Sequence, residues 1–489
     1  GSRYQPGNLE PVVSDLEGDG EKEIIVFVAG DPPKLYVYRP DGTLGWVANV
    51  GNAPMNALRT HIPIVADINR DGNKEILAYS IGSATEDYSE LYAFDSSGDI
   101  LTDWPVQIPY HTSPTMLAAD LDNDGNIEIV IKDNGEALFN NEGNIPQKIT
   151  ILSSSGEALS QWNLAATPRY YYFSQLELQN RKTIPTIGNF DDDGELEIVI
   201  DNAFDNNKGQ IHVFNLDGTE VSGWPIETDS FISFSPTVGD LDGEGYDEIV
   251  VGTFSGLDGK LFVFDKNGNV LPGWPKSTNE RGYVTSPSLG DLDGDGDLEI
   301  IIGLENYVEV FDHTGDKVGV SYITNNQYST FIGDVDGDAV PDILTTRGDT
   351  TGIRHSPISL LYATKAPFGS YITGFPKIME PGSGPVMIDD LDSDGKVDII
   401  STSTMDGFDI DIGKAGKKQR SSIYVWGLDS GFNYATMYWP TFHHDVQRTG
   451  NFYIPDRTPP SGSISINDNA LYTTSTSVTL TLSCSDADG

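Results

Sequence analysis

A ten-residue string, Asp291-Leu-Asp-Gly-Asp-Gly-Asp-Leu-Glu299-Ile, recurs with variations eight times along the chain. The copies begin at Asp15, Asp67, Asp120, Asn189, Asp240, Asp291, Asp334 and Asp390, at intervals of 52, 53, 69, 51, 51, 43 and 56 residues. Carboxylates at positions one, three, five and nine repel one another unless they converge on a cation. Ca²⁺ suits them, because it takes six to eight oxygens in a flexible shell and accepts a backbone carbonyl among them. Glycine at position six supplies the positive φ that curls the chain around the ion. An EF-hand would close at position twelve between two helices. This loop closes at nine and runs into Ile300-Ile-Ile, a strand.

Taken in register, the expected ligands of loop one are Asp15, Glu17, Asp19 and Glu23, with Glu21 giving its backbone oxygen at position seven. Loop two offers Asp67, Asn69, Asp71, Asn73 and Glu75, and loop three Asp120, Asp122, Asp124, Asn126 and Glu128. Asn189, Asp191, Asp193, Glu195 and Glu197 form the fourth set, and Asp240, Asp242, Glu244, Tyr246 and Glu248 the fifth. The sixth is Asp291, Asp293, Asp295, Asp297 and Glu299. Asp334, Asp336, Asp338, Val340 and Asp342 follow, then Asp390, Asp392, Asp394, Lys396 and Asp398. Up to eight Ca²⁺ ions are expected. A period near fifty residues also marks a repeat architecture, so most of the 489 residues belong to one closed array.

The formal charge of −45 comes from 74 acidic and 29 basic residues. About thirty of the carboxylates stand at the loop positions, so the loops carry most of the imbalance. That sign disfavours nucleic acid and anionic membrane as partners. A single cysteine, Cys484, excludes a disulfide framework within the chain. Compartment follows from calcium instead: such loops fill at the millimolar levels found outside cells, which predicts an extracellular setting. No apolar run is long enough to span a bilayer and no signal peptide is visible. Gly1-Ser2 reads as a cloning scar, with a leader and further domains of a larger parent chain expected beyond it.

Ser233 to Thr278 shows the repeating unit best. Phe234-Ser-Pro-Thr-Val-Gly is a first strand entering the loop and Glu248-Ile-Val-Val-Gly-Thr a second. Lys260-Leu-Phe-Val-Phe-Asp is a third, ended by Asn267-Gly268, and Val270-Leu-Pro-Gly-Trp-Pro a fourth. Four strands per fifty residues is the arithmetic of a propeller blade. The fourth strand recurs around Trp46, Trp104, Trp162, Trp224, Phe375 and Trp439, and one aromatic per repeat predicts packing between blades. No HExxH, GxSxG or phosphate-cradling loop is present, and His443-His-Asp445 reads as a structural turn.

These loops and strands, from about Leu9 to Pro455, resemble the FG-GAP or VCBS repeats of integrin α-subunit propellers and of secreted or cell-surface prokaryotic proteins. Trp439-Pro-Thr-Phe-His-His-Asp-Val-Gln-Arg-Thr-Gly450 is similar to the closing segment of such prokaryotic propellers. The resemblance implies calcium loops joining first and second strands on one face and ligands on the other. Integrin propellers have seven blades, whereas eight motifs here predict an all-β, eight-bladed β-propeller of four-stranded blades with a short C-terminal extension. Loops four and seven depart from the pattern, through Asn189 and Ala339. The expected domains are the propeller over 5–455, then a linker and partial immunoglobulin-like segment over 456–489.

Two functions are carried forward. The first is a calcium-stabilised binding or adhesion module for a protein or glycan, with no catalytic residues, able to serve as accessory to a secreted enzyme. The alternative is a polysaccharide lyase of the rhamnogalacturonan type, for which Lys414, Lys417, Lys418 and Arg420 form the densest basic group. Long connections on the face away from the calcium loops carry Arg169, Tyr170, Tyr171, Tyr172 and Phe173, residue types that dominate binding hot spots. Arg347-Gly-Asp349 reads as a plain turn. The ring is expected to close without strand exchange, helped by the tail from Thr441 to Pro455.

Overall fold

The computed structural model describes residues 11–28, 32–51, 62–81, 88–108, 114–133, 147–164, 183–191, 193–204, 208–232, 234–254, 259–277, 285–304, 307–321, 330–347, 358–367, 370–380, 383–405, 420–441, 444–445, 447–449, 451–452, 461–466 and 480–485. The chain divides into two compact units, Gly1–Phe452 and Tyr453–Gly489. Among the described residues, the second contains one antiparallel pair, Ser461–Ile466 with Leu480–Ser485.

The first unit is an eight-bladed β-propeller of antiparallel blades in sequence order. Blade one comprises Val12–Ser14, Glu23–Val28, Lys34–Tyr38 and Leu44–Asn49, each hydrogen-bonded to the next. The first strands of blades two to eight are Ile64–Ala66, Thr115–Ala119, Thr186–Gly188, Thr237–Gly239, Ser288–Gly290, Phe331–Gly333 and Ser383–Asp389. Blades two to seven each add three further strands, and blade five has one more, Phe231–Ile232, paired with Glu248–Phe254. In blade eight the described residues supply three, Ser383–Asp389, Lys396–Met405 and Arg420–Gly431.

Burial follows position within the blade. Second strands such as Glu299–Gly303 are buried throughout, whereas outer strands such as Leu44–Asn49 and Ala158–Asn163 expose alternate residues. Both faces of an inner strand meet a neighbouring blade, so uninterrupted Ile and Val runs are tolerated there. Each such side chain stabilises the ring by about 1.5–3 kcal/mol on burial.

Closure uses side chains, as expected. Val13, Ile24 and Val26 of blade one pack with Met387, Leu391 and Ile400 of blade eight in one buried cluster. The blade-terminal aromatics also pack between blades. Trp46 donates its indole N–H to the carbonyl of Ser96 in blade two at 2.8 Å. A Cβ on Gly98, at φ +87° in the same hairpin turn, would lie 2.7 Å from that indole. Trp224 and Trp274 repeat the bond to Lys266 and His313 of the following blades.

Two expectations are corrected. The fourth strand of blade five is Lys276–Ser277, just after Trp274 rather than across it. Trp439 lies in no outer strand of blade eight. Its backbone N–H and C=O exchange bonds with Ile332, in the first strand of blade seven, both at 3.0 Å. From there the tail laces along the first strands. Ile388 of blade eight donates to Pro440, Ala118 of blade three to Gln447, and Ile187 of blade four to Thr449. Asn451–Phe452 then pairs in parallel with Val238–Gly239 of blade five. The cause is that a propeller's innermost strands have one unpaired edge each, and buried backbone groups must find partners.

Candidate metal centres

Every acidic loop spans from a first strand to a second strand of the same blade. Asp291 follows Gly290, the end of one strand, and Glu299 begins the next. The position-nine carboxylate folds back in all eight loops to accept the backbone N–H of position two. The bonds run from Leu16 to Glu23, Ile68 to Glu75, Leu121 to Glu128 and Phe190 to Glu197. They continue from Leu241 to Glu248, Leu292 to Glu299, Val335 to Asp342 and Leu391 to Asp398. One carboxylate oxygen is thereby fixed and the other is left for the interior of the loop.

Position one is held as firmly. Asp15, Asp67, Asp120, Asp240, Asp334 and Asp390 accept the N–H of position six. Position five accepts the N–H of position seven, as in Glu21 to Asp19, Asn126 to Asp124, Glu195 to Asp193 and Lys396 to Asp394. Position six is left-handed, at φ +101° for Gly296. Ala339 adopts the same turn at φ +69° despite its Cβ, so loop seven keeps the shared shape.

The carboxylates converge. Ligand oxygens of Asp120, Asp122 and Glu128 lie within 4.8 Å of one another, as do those of Asp191, Asp193 and Glu197. Asp240, Asp242 and Glu248, then Asp291, Asp293 and Asp295, then Asp334, Asp336 and Asp342 form equivalent groups. Four side-chain oxygens in these loops are buried with no hydrogen-bond partner: Oδ1 of Asn189, Asp240, Asp342 and Asp390. A buried carboxylate oxygen without a partner is costly, and a cation is what relieves it. The donor set, all oxygen, fits a hard divalent ion such as Ca²⁺.

Burial, opposed by the bond from position two and reinforced by neighbouring carboxylates, pushes the position-nine acids up. Glu75, Glu128 and Glu197 rise to about 7 and Glu248 and Glu299 to about 8. Asp342 rises to about 7 for the same reasons. Glu23 and Asp398 shift in the same direction.

Neighbouring loops are joined. The N–H of position eight donates to the carbonyl of position two in the preceding loop, from Lys74 to Leu16, Leu196 to Leu121, Leu298 to Leu241 and Lys22 to Leu391. Asp247 makes the analogous bond to Asn189. Loop seven has Pro341 at this place and no N–H to give.

Some expected ligands have other engagements. Asn69 donates to both Asp71 and Glu75 at 3.0 Å, filling loop two with its own amide. At position seven, Lys266 sits over the Tyr246 ring and Lys396 reaches Asp429, whereas Asn126 donates its amide to Asp124 of its own loop. Glu17 and Glu244 are exposed, as are Asp293 and Asp295. Arg169, Tyr170, Tyr171, Tyr172 and Phe173 lie outside the described residues, as do Lys414, Lys417 and Lys418 and the side chain of Arg420. Of His443-His-Asp445, His444 packs edge-on against Trp439 and bonds to Asp445, which accepts the N–H of Thr449, a structural turn. Sequence reasoning missed Asp247, which is buried, pushed up to about 6 by that burial, and accepts from both Asn189 and Asn451. It also missed Lys365, whose ammonium is 2.8 Å from Asp336.

Residues 15–78, from loop one into the second strand of blade two, match the family model described as FG-GAP-like repeat. No curated protein matches the chain. Among solved structures it is similar to the exotype rhamnogalacturonan lyase YesX, at 15% identity and a TM-score of 0.42, covering 82% of this chain and 88% of that one. It is similar to the V. cholerae biofilm matrix protein Bap1, at 13% identity and 0.41, covering 93% and 94%. BamB from Moraxella catarrhalis matches at 13% identity and 0.41, covering 68% and 80%.

Proposed function

We propose that this eight-bladed propeller, which carries an FG-GAP-like repeat, is an extracellular, calcium-stabilised binding or adhesion module for a protein or glycan partner. The observation that carries the calcium part is the set of buried, unpartnered oxygens at loop positions one and nine. Loops four, five, seven and eight hold one such oxygen each, and in every loop an ion would neutralise three or four carboxylates held together by backbone bonds. In this reading, position-one and position-nine carboxylates and the side chains at three and five bind the ion, and position seven gives its carbonyl. The ion supplies charge neutralisation and a fixed junction between first and second strands.

The binding part rests on where the chain spends its length. Calcium loops and third-to-fourth hairpins lie at one end of each sheet, so second-to-third and fourth-to-first connections lie at the other. Long connections of those kinds run between Asn49 and Ile64, Asp133 and Lys148, Asn163 and Thr186, and Met405 and Arg420. Long loops on a rigid scaffold are where recognition residues gather. No helix among the described residues is long and apolar enough to cross a membrane.

A glycan and matrix-protein array, probed with and without Ca²⁺, tests the reading. Bound partners should be lost when Tyr170, Tyr171 and Tyr172 are replaced by Ser, with the calcium-dependent melt unchanged. Retained binding by that variant would move the partner surface elsewhere. Unsaturated products from pectic polymers would replace the reading with the lyase alternative.

A further inference from the structure

Loop seven has a cation supplied by its own blade. Lys365 ends the third strand of blade seven and stands opposite Asp342 in the register. Its ammonium is 2.8 Å from Asp336 and in direct contact with Asp338, the side chains at positions three and five. Among the described residues no other loop has a lysine or arginine bridging two of its ligand carboxylates.

The substitution is visible against the other blades. In blades two, five and six the residue after the third strand is Asp95, Asp265 or Asp312, and each accepts N–H groups of the following hairpin turn. Blade seven gives that place to Lys365 and ends its strand there. Loop seven is also set apart by Pro341, which cannot donate to the preceding loop. The lysine does not satisfy the whole cluster, because Asp342 Oδ1 remains buried and without a partner. Asp334, Asp336 and Asp342 still bring oxygens within 4.8 Å of one another.

We propose that loop seven is a lysine-gated cation site, in which Ca²⁺ binds only by displacing the Lys365 ammonium from Asp336 and Asp338. This rests on the reading that the neighbouring loops hold calcium. The gate has two consequences. When calcium is scarce the ammonium holds the carboxylates together, so loop seven keeps its shape without an ion. When calcium is plentiful the ion must break two charge-assisted bonds to enter, so loop seven fills last. The lysine side chain is 38% exposed and can swing into solvent as the ion enters. The propeller thus contains one site with a higher calcium threshold and a surface charge that appears only above it.

Equilibrium calcium binding to the full chain, at fixed ionic strength, tests the proposal with Lys365→Met and Asp336→Asn. The weakest step of the wild-type isotherm should tighten tenfold or more in Lys365→Met and vanish in Asp336→Asn, with the other steps in place. The melts should cross: Lys365→Met should melt below wild type in EDTA and no lower in saturating Ca²⁺. If the weakest step stays put or is lost in Lys365→Met while other loops bind calcium, the gate is overturned and the calcium reading survives. If no loop of the wild-type protein binds calcium, both fall.

Discussion

The backbone N–H of Lys22 donates to the carbonyl of Leu391 at 3.0 Å, joining the first acidic loop to the last. The Lys22 side chain spans the same seam, pairing with Asp389 and donating to the Tyr434 hydroxyl at 2.9 Å. Ring closure therefore has a polar latch beside the Val13–Met387 apolar cluster.

Replacing Lys22 with Met should leave the largely buried Asp389 carboxylate unpaired. Breaking such a pair from one side costs about 3–5 kcal/mol when burial is complete, and somewhat less here. Denaturant unfolding should show a midpoint shifted down with little change in slope. An unshifted midpoint would mean the seam is held by apolar packing alone.

Calcium removal should destabilise the whole ring. A site at a hundredfold above its dissociation constant contributes about 2.7 kcal/mol, and the loops are joined through positions eight and two. Calorimetry after verified chelation should find a melting temperature lower by many degrees. The same melt with and without bound ion would remove calcium from any structural role.

In the ion-free protein the sign of the pH effect is set by position nine. Glu75, Glu128 and Glu197 titrate near 7 and Glu248 and Glu299 near 8 when folded, against an ordinary value of 4.5. The folded chain holds more protons than the unfolded one between these values. Stability from these groups is therefore complete below the ordinary carboxylate range and lost as pH rises through 7 to 8. With EDTA present, melts should fall steadily from pH 5 to pH 8. With saturating Ca²⁺ the slope should flatten or reverse, because the ligands must lose their protons to bind.

Ala339 holds a left-handed backbone at the place where seven other loops have glycine. A left-handed L-residue costs roughly 1–2 kcal/mol, part of which is offset by the greater chain entropy of glycine. Ala339→Gly should stabilise the protein by about 1 kcal/mol or less, and Ala339→Val should destabilise it. Chemical denaturation at fixed Ca²⁺ gives both signs, and the reverse order would show that loop seven relaxes around its Cβ.

The acidic loops are legible in sequence because all their determinants fall within ten residues, and the blade phase follows from the apolar runs on either side. The regular Trp residues were rightly assigned to packing: Trp46 and Trp274 each reach the next hairpin. What escaped was contact between distant stretches. Lys365 gave only a faint signal, a lysine where Asp95, Asp265 and Asp312 begin turns. Trp439 was misplaced because a tryptophan followed by proline looked like the outer-strand pattern of Trp274-Pro275. Nothing local reveals that the free edges of the innermost strands would claim it instead. Asp247 escaped for a related reason, as its partners Asn189 and Asn451 come from another blade and from the tail.

The lace from Thr436 to Phe452 touches the first strands of blades seven, eight, three, four and five in that order. Its length is fixed by sequence, and an extended chain reaches only about 3.3–3.6 Å per residue. A ring with a duplicated or deleted blade would set those strands at different distances along the circuit, and the same lace would fall short or bunch. The tail is in this sense a gauge of circumference. Repeats can diverge freely within their loops, but a change in their number must be matched by a change in the length of one short segment that belongs to none of them.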